Sequence, residues 1–191
     1  MSDRVVVKTR LGAFTVRRPT EAEALALAQK RLQVRQGQYP VDALDDGDEE
    51  ILDCVVNPAR DLVEAALDEA PRLAELLEKA VLELAGDPLD VLSDQLREAA
   101  DDPALAELRK QHPRLVAVTY GDLRLAVTRI GRVEWKLFKR RTDTMKAMAD
   151  LGRAHLAEGT IDSAAHPLLA AKLGAYLVKI AGGAVEAEAG K

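Results

Sequence analysis

Aromatic side chains are almost absent: one Trp, three Tyr and two Phe make up 3% of 191 residues. A core without them has to be filled by Ala, Leu and Val, which favours helices packed closely through small side chains and leaves little room for strand. Cysteine is scarcer still. Cys54 is alone and cannot close an internal disulfide, and with no apolar leader at the N-terminus it predicts a reducing compartment. Long apolar runs are missing too. Patches such as 114–118 fall far short of the roughly 20 residues a bilayer-spanning helix needs. Nor is there an excess of positive charge: a net charge of −5 and a pI near 5.3 argue against bulk attraction to nucleic acid or anionic membrane. These absences predict a cytoplasmic, non-membrane chain of one large or two small domains.

The signatures of catalysis are also lacking. No glycine-rich phosphate loop, Walker lysine or Gly-x-Ser-x-Gly elbow occurs. His112, His155 and His166 lie in different elements with no Glu or Cys at metal-ligand spacing, which predicts surface or capping roles. Cys54 sits in the apolar run 51-ILDCVV-56 and reads as a buried structural thiol. The acidic stretch Asp42, Asp45, Asp46, Asp48, Glu49 and Glu50 lacks the alternating ligands of an EF-hand loop and reads as a solvated loop. No catalytic residue, metal or cofactor is expected. An enzyme would need a pocket gathering Glu134, His155 or Asp162.

What is present is a repeated plan. Residues 5–18 read as a β-hairpin turning at Leu11-Gly12, followed by a helix from Pro19 and Thr20 with its stripe at Leu25, Ala28 and Leu32. A helix over 58–71 places Leu62, Ala65, Ala66 and Ala70 on one face. The next, 71-PRLAELLEKAVLELAG-86, carries Leu73, Leu76, Leu77, Ala80, Val81 and Leu84 at helical spacing and stops at Gly86. A connector of two short helices, 88–100 and 103–111, leads to a second hairpin over 115–129 with Gly121-Asp122 at its turn. A long helical pattern over 130–157 and a short linker follow.

The chain then closes on 167-PLLAAKLGAYLVKIAG-182. Pro71, Leu73, Ala74, Leu77, Ala85 and Gly86 recur as Pro167, Leu169, Ala170, Leu173, Ala181 and Gly182. Val81 meets Leu177, and Leu84 meets Ile180. Glu21–Leu25 holds the place that Arg132–Lys136 holds after the second hairpin. The expected fold class is therefore α+β, mostly helical, with two similar hairpin-plus-helices modules. Their expected bounds are 1–86, a connector at 87–113, 114–183, and a tail at 184–191. Two similar surfaces suit binding or scaffolding better than a single active site.

One basic cluster stands out: Arg129, Arg132, Lys136, Lys139, Arg140 and Arg141, with Trp135 and Phe138 interleaved. On a helix, Val133, Leu137 and Phe138 would form an inward stripe flanked by Trp135, leaving the cations to solvent. The expected role is a solvated basic face or a dock for an acidic partner, for which the 42–50 stretch of the same or a neighbouring chain is a candidate. The alternative is a nucleic-acid-associated regulatory protein using 129–141, with charge and stacking-capable rings.

The second half, with its hairpin, 129-RIGRVEWKLFKR-140, a long Ala/Leu helix and a proline-led helix ending in Ala-Gly, resembles the tail assembly chaperones of long-tailed bacteriophages and prophages. The first half, with 17-RRPTEAEALAL-27 and 54-CVVNP-58, resembles the same pattern. The resemblance spans 5–86 and 114–183. It implies a non-enzymatic protein of the bacterial host cytoplasm, or one associated with the virion. Such a protein shields the long helical tape-measure protein and helps recruit tail-tube subunits; self-association is a separate expectation. The residues expected to touch a partner are Arg132, Trp135, Lys136, Lys139, Arg140 and Arg141.

Overall fold

A computed structural model describes residues 3–35, 49–86, 96–98 and 103–189. The fold is α+β and mostly helical, with two antiparallel sheets. The chain divides into two compact units, Met1–Asp87 with Ser163–Leu168, and Pro88–Asp162 with Leu169–Lys191. This differs from the expected bounds: the connector groups with the second unit, and 163–168 with the first.

In the first unit, β1 (Arg4–Thr9) and β2 (Gly12–Arg17) form the expected hairpin. Gly12, at φ 138°, takes the turn conformation that a side chain resists. Helix α1 (Glu21–Arg35) follows. Its start is a complete capping box: the Glu23 amide donates to Thr20 Oγ1 at 3.3 Å, and the Thr20 amide donates to Glu23 Oε2 at 2.7 Å. The short helix α2 (Glu49–Cys54) leads into β3 (Val55–Asn57), which pairs antiparallel with β2 across a register shift at Thr15/Val16. Residues 42–48 of the acidic stretch lie outside the described residues, whereas Glu49 and Glu50 open α2.

Helices α3 (Arg60–Glu69) and α4 (Arg72–Ala85) complete this unit, and α4 ends on Gly86 in the left-handed conformation. The core joins Phe14 and Val16 of β2, Leu27, Ile51, Leu52, Cys54 and Val63 to Leu73, Leu77, Ala80 and Val81 of α4. Two expected stripes need correction. On α1 the buried residues are Ala24, Leu27 and Ala28, with Leu25 and Leu32 only partly covered. On α3 the buried residue is Val63, while Leu62 is 58% exposed and Ala65 faces solvent. Leu76 of α4 is also open, at 47%. An Ala-rich helix carries two adjacent apolar stripes, and the neighbouring sheet selects the one that packs.

In the second unit, Leu96–Glu98, expected as helix, is instead a strand, β4, pairing antiparallel with β5 (Leu115–Tyr120). Residues 87–95 and 99–102 lie outside the described residues. A 3₁₀ turn (Pro103–Leu105) runs into α5 (Ala106–Gln111) as expected. Its Leu105, with Leu115, Ala117 and Ala126, closes the sheet face that looks away from the main core. Strand β6 (Leu123–Thr128) pairs with β5 along its whole length, turning at Gly121-Asp122. The expected long helix over 130–157 is broken into α6 (Arg132–Phe138), α7 (Thr144–Ala154) and the strand β7 (Leu156–Glu158). The closing helix α8 (Leu169–Ala189) packs along α7 more extensively than any other pair of elements meets. Lys172 is buried on it, with Nζ 5.1 Å from the Tyr120 ring centroid.

The two units repeat one another in detail. Arg4↔Arg17 through Thr9↔Gly12 becomes Leu115↔Thr128 through Tyr120↔Leu123, a constant shift of 111 residues. Each second strand then takes a short third strand: Val16↔Val55 is matched by Val127↔Leu156, with the register shift at the equivalent place. Leu77 and Leu173 are both fully buried, each in its own unit's main cluster, and Leu73/Leu169 and Val81/Leu177 follow suit.

Candidate functional site

The Glu at the third position of the helix after each hairpin is held by a different partner in each unit. In the first, Arg17 donates from both terminal nitrogens to Glu23, at 2.7 and 3.0 Å, and also to the Asp53 carbonyl at 2.9 Å. The Arg17 bond is the main cause that holds the Glu23 carboxyl down at about 2. Beside it Cys54 is buried, and burial above all pushes its thiol up to about 12, which leaves it inert.

In the second unit the equivalent carboxylate is Glu134. Position 131 is glycine and has no side-chain cap to offer, so only the returning half of the box forms: the Gly131 amide donates to Glu134 Oε2 at 2.5 Å. Glu134 Oε1 lies 3.1 Å from His155 Nε2, and His155 Nδ1 lies 2.9 Å from Thr128 Oγ1. His155, buried at the C-cap of α7, thus ties the start of α6 to the end of β6. His155 occupies the C-cap position of α7, but its side chain is interior rather than on the surface. A carboxylate–imidazole–hydroxyl row of this kind has the elements of a nucleophilic relay. Here both imidazole nitrogens and both carboxylate oxygens are already engaged, and Thr128 does not line the groove described next. Asp162 does not line it either. The described residues contain no cluster of three or more His, Cys, Asp or Glu able to hold a metal.

Between α6 and α7 lies an open groove of about 240 Å³, floored by Leu137, Phe138, Ala147, Leu151 and Ala154, with Glu134 and His155 among its walls. The expected inward stripe on α6 is corrected here: Val133 is 70% and Leu137 58% exposed. Phe138 is partly covered as expected, and Trp135 turns inward with it. Trp135 packs against the second core and stacks on Phe138 with ring centroids 6.4 Å apart, and Lys139 Nζ sits 5.0 Å from its centroid. Arg141 is drawn off by Asp143 and Asp150, at 2.6 Å from its Nε and 3.4 Å from a terminal nitrogen. Arg132, Lys136 and Arg140 are exposed and make no ion pair among the described residues. Comparison with protein-family models, with functionally described proteins and with solved structures found no match.

The expected partner-contact residues therefore separate into three kinds. Arg132, Lys136, Lys139 and Arg140 rim the exposed face of α6, Trp135 anchors the helix to its core, and Arg141 ties the turn after α6 to Asp143 and Asp150 of α7. Val133 and Leu137 complete the face, on the outside of the helix rather than on the expected inward stripe. Their phase on the helix, about 100° per residue from Lys136 and Arg140, was the signal that mixed them with the cations. Among the described residues no helix is long and apolar enough to cross a membrane.

Proposed function

We propose that the chain is a non-enzymatic assembly chaperone or adaptor of a phage tail, acting by contacts with a tape-measure or tail-tube protein in the host cytoplasm. The observation that carries this reading is the α6 face: Val133 and Leu137 stand open beside an apolar groove and are bordered by Arg132, Lys136 and Arg140, which make no ion pair among the described residues. Contiguous exposed apolar surface rimmed by charged residues marks an interaction site. The resemblance of both halves to tail assembly chaperones supplies the kind of client.

A nucleic-acid role for 129–141 has less support. The Trp135 ring that would stack a base is covered by Phe138, Lys139 and the core. The test is capture of native host proteins on the tagged chain and on Leu137→Asp, with circular dichroism confirming that the variant folds. The expected result is a long helical tail component retained by the parent and lost by the variant. Equal capture by both, or none by either, overturns the proposal.

A further inference from the structure

A second face in the first unit mirrors the one on α6 with opposite charge. Helix α3 turns Asp61, Leu62, Ala65, Asp68 and Glu69 to solvent. Leu62 is as open as Leu137, at 58%. Among the described residues Asp61, Asp68 and Glu69 make no ion pair, whereas Glu64 is taken by Arg60 at 2.9 Å. Residues 60–69 hold one basic and four acidic side chains, a net charge of −3. Residues 132–150 hold six basic and three acidic, a net charge of +3.

We propose that α3 of one copy docks on the α6 face of a second copy, with Leu62 entering the α6–α7 groove, so that the chain associates head to tail. A space of about 150 Å³ accommodates a benzene-sized group, so the 240 Å³ groove has room for a leucine side chain. Its floor of Leu137, Phe138, Ala147, Leu151 and Ala154 is apolar, as a leucine requires. The two carboxylates in its walls do not repel the incoming acidic helix strongly, because Glu134 is held by His155 and Asp150 by Arg141. Asp61, Asp68 and Glu69 then face Lys136, Arg140 and Arg132 around the rim, where complementary charge steers the encounter and sets its register.

The surfaces that meet are different, so the contact is heterologous. The pair keeps one unused face of each kind, α6 on one copy and α3 on the other, and growth continues into a ring or a filament. One helix laid on one groove lies at the small end of specific interfaces, which makes the association weak and dependent on concentration. Exposed ion pairs are screened within about 8 Å at physiological salt, so raising salt weakens it further.

The inference rests on reading α6 as a protein-docking face, but it is tested on the purified chain with no client present. Failure here therefore leaves client capture to be judged separately. Sedimentation velocity is run from micromolar to millimolar chain at low and high salt. The expected result is a mean mass that rises with concentration and falls as salt is added. Lys136→Glu with Arg140→Glu, or Asp68→Lys with Glu69→Lys, each weakens association by on the order of tenfold or more. The chain carrying all four changes regains it, because the reversed faces complement each other. A chain that stays monomeric throughout, or association that survives either pair of reversals, or no recovery in the fourfold variant, overturns the proposal.

Discussion

Replacing Gly174 by alanine should destabilise the second unit, against the usual direction for a helix interior. In an isolated helix, Gly→Ala stabilises by about 1 kcal/mol. Here a Cβ on Gly174 would stand 1.9 Å from the Met148 carbonyl oxygen, and one on Gly152 would stand 2.0 Å from that of Ala170. Ordinary contact begins near 3.4 Å, so α7 and α8 have to part by about 1.5 Å at this crossing. The obstruction is backbone on both sides and no side chain can swing away. Overpacking of this kind costs about 1–3 kcal/mol and sometimes more. Parting the helices also loosens Leu169, Leu173 and Leu177 against the sheet. The net expectation for Gly174→Ala is a loss of about 1–2 kcal/mol, or roughly 5–15 °C for a unit of this size. Trp135, the chain's single tryptophan, packs in the second core, so its fluorescence in a denaturant titration follows this unit alone. Gly152→Ala should behave alike, and the double variant should lose less than the sum, because helices once parted admit both methyl groups. A Gly174→Ala chain as stable as its parent, or more so, would refute the close crossing.

Glu23 is held down at about 2 by Arg17, against an ordinary 4.5. A depressed carboxyl contributes its stability above the unfolded value and loses it as pH falls. The first unit should therefore weaken between about pH 4.5 and 2, by at most about 2–3 kcal/mol given partial exposure. Glu23→Gln should flatten that part of an acid-denaturation curve. Leu77→Ala and Leu173→Ala should each cost about 2–5 kcal/mol, each in its own unit. Urea titrations would check the costs, with Trp135 fluorescence expected to shift for Leu173→Ala alone. Cys54 should resist alkylation in the native chain and react as the first unit opens, at a rate that rises with denaturant; rapid labelling under native conditions would contradict its burial. Glu134→Ala strips the Gly131 amide and His155 of their acceptor and should cost about 0.5–2 kcal/mol by thermal melting.

Much of the fold was legible because it is written in local chemistry. Both hairpins, with Gly12 and Gly121 at or beside their turns, were read within a residue or two. The Thr20 helix start and the Gly86 stop were also visible, since each depends on residues within one turn of the chain. Cys54 was readable as a buried thiol from its apolar neighbours. Three-residue strands such as β4, β3 and β7 escaped, because pairing with a distant strand creates them and their own propensity is weak. The break between α6 and α7 lies at Thr142-Asp143-Thr144, residues that favour helix starts, yet no Gly or Pro marks it.

The candidate site was half legible. The cations on 129–141 were plain, whereas their apolar neighbours were assigned to the wrong side. The chain alone determined which segments turn, which coil into helices and that the plan is repeated, since those choices rest on backbone conformation and nearby hydrogen bonds. Only tertiary structure decided which stripe of each helix is inside. Leu62, Leu76, Val133 and Leu137 obey helical spacing as well as Val63, Leu77 and Trp135 do. Periodicity fixes their angles around the helix, but burial depends on which surface a sheet or second helix arrives to cover. That choice leaves Leu62 exposed among the carboxylates of α3 and Leu137 exposed among the cations of α6.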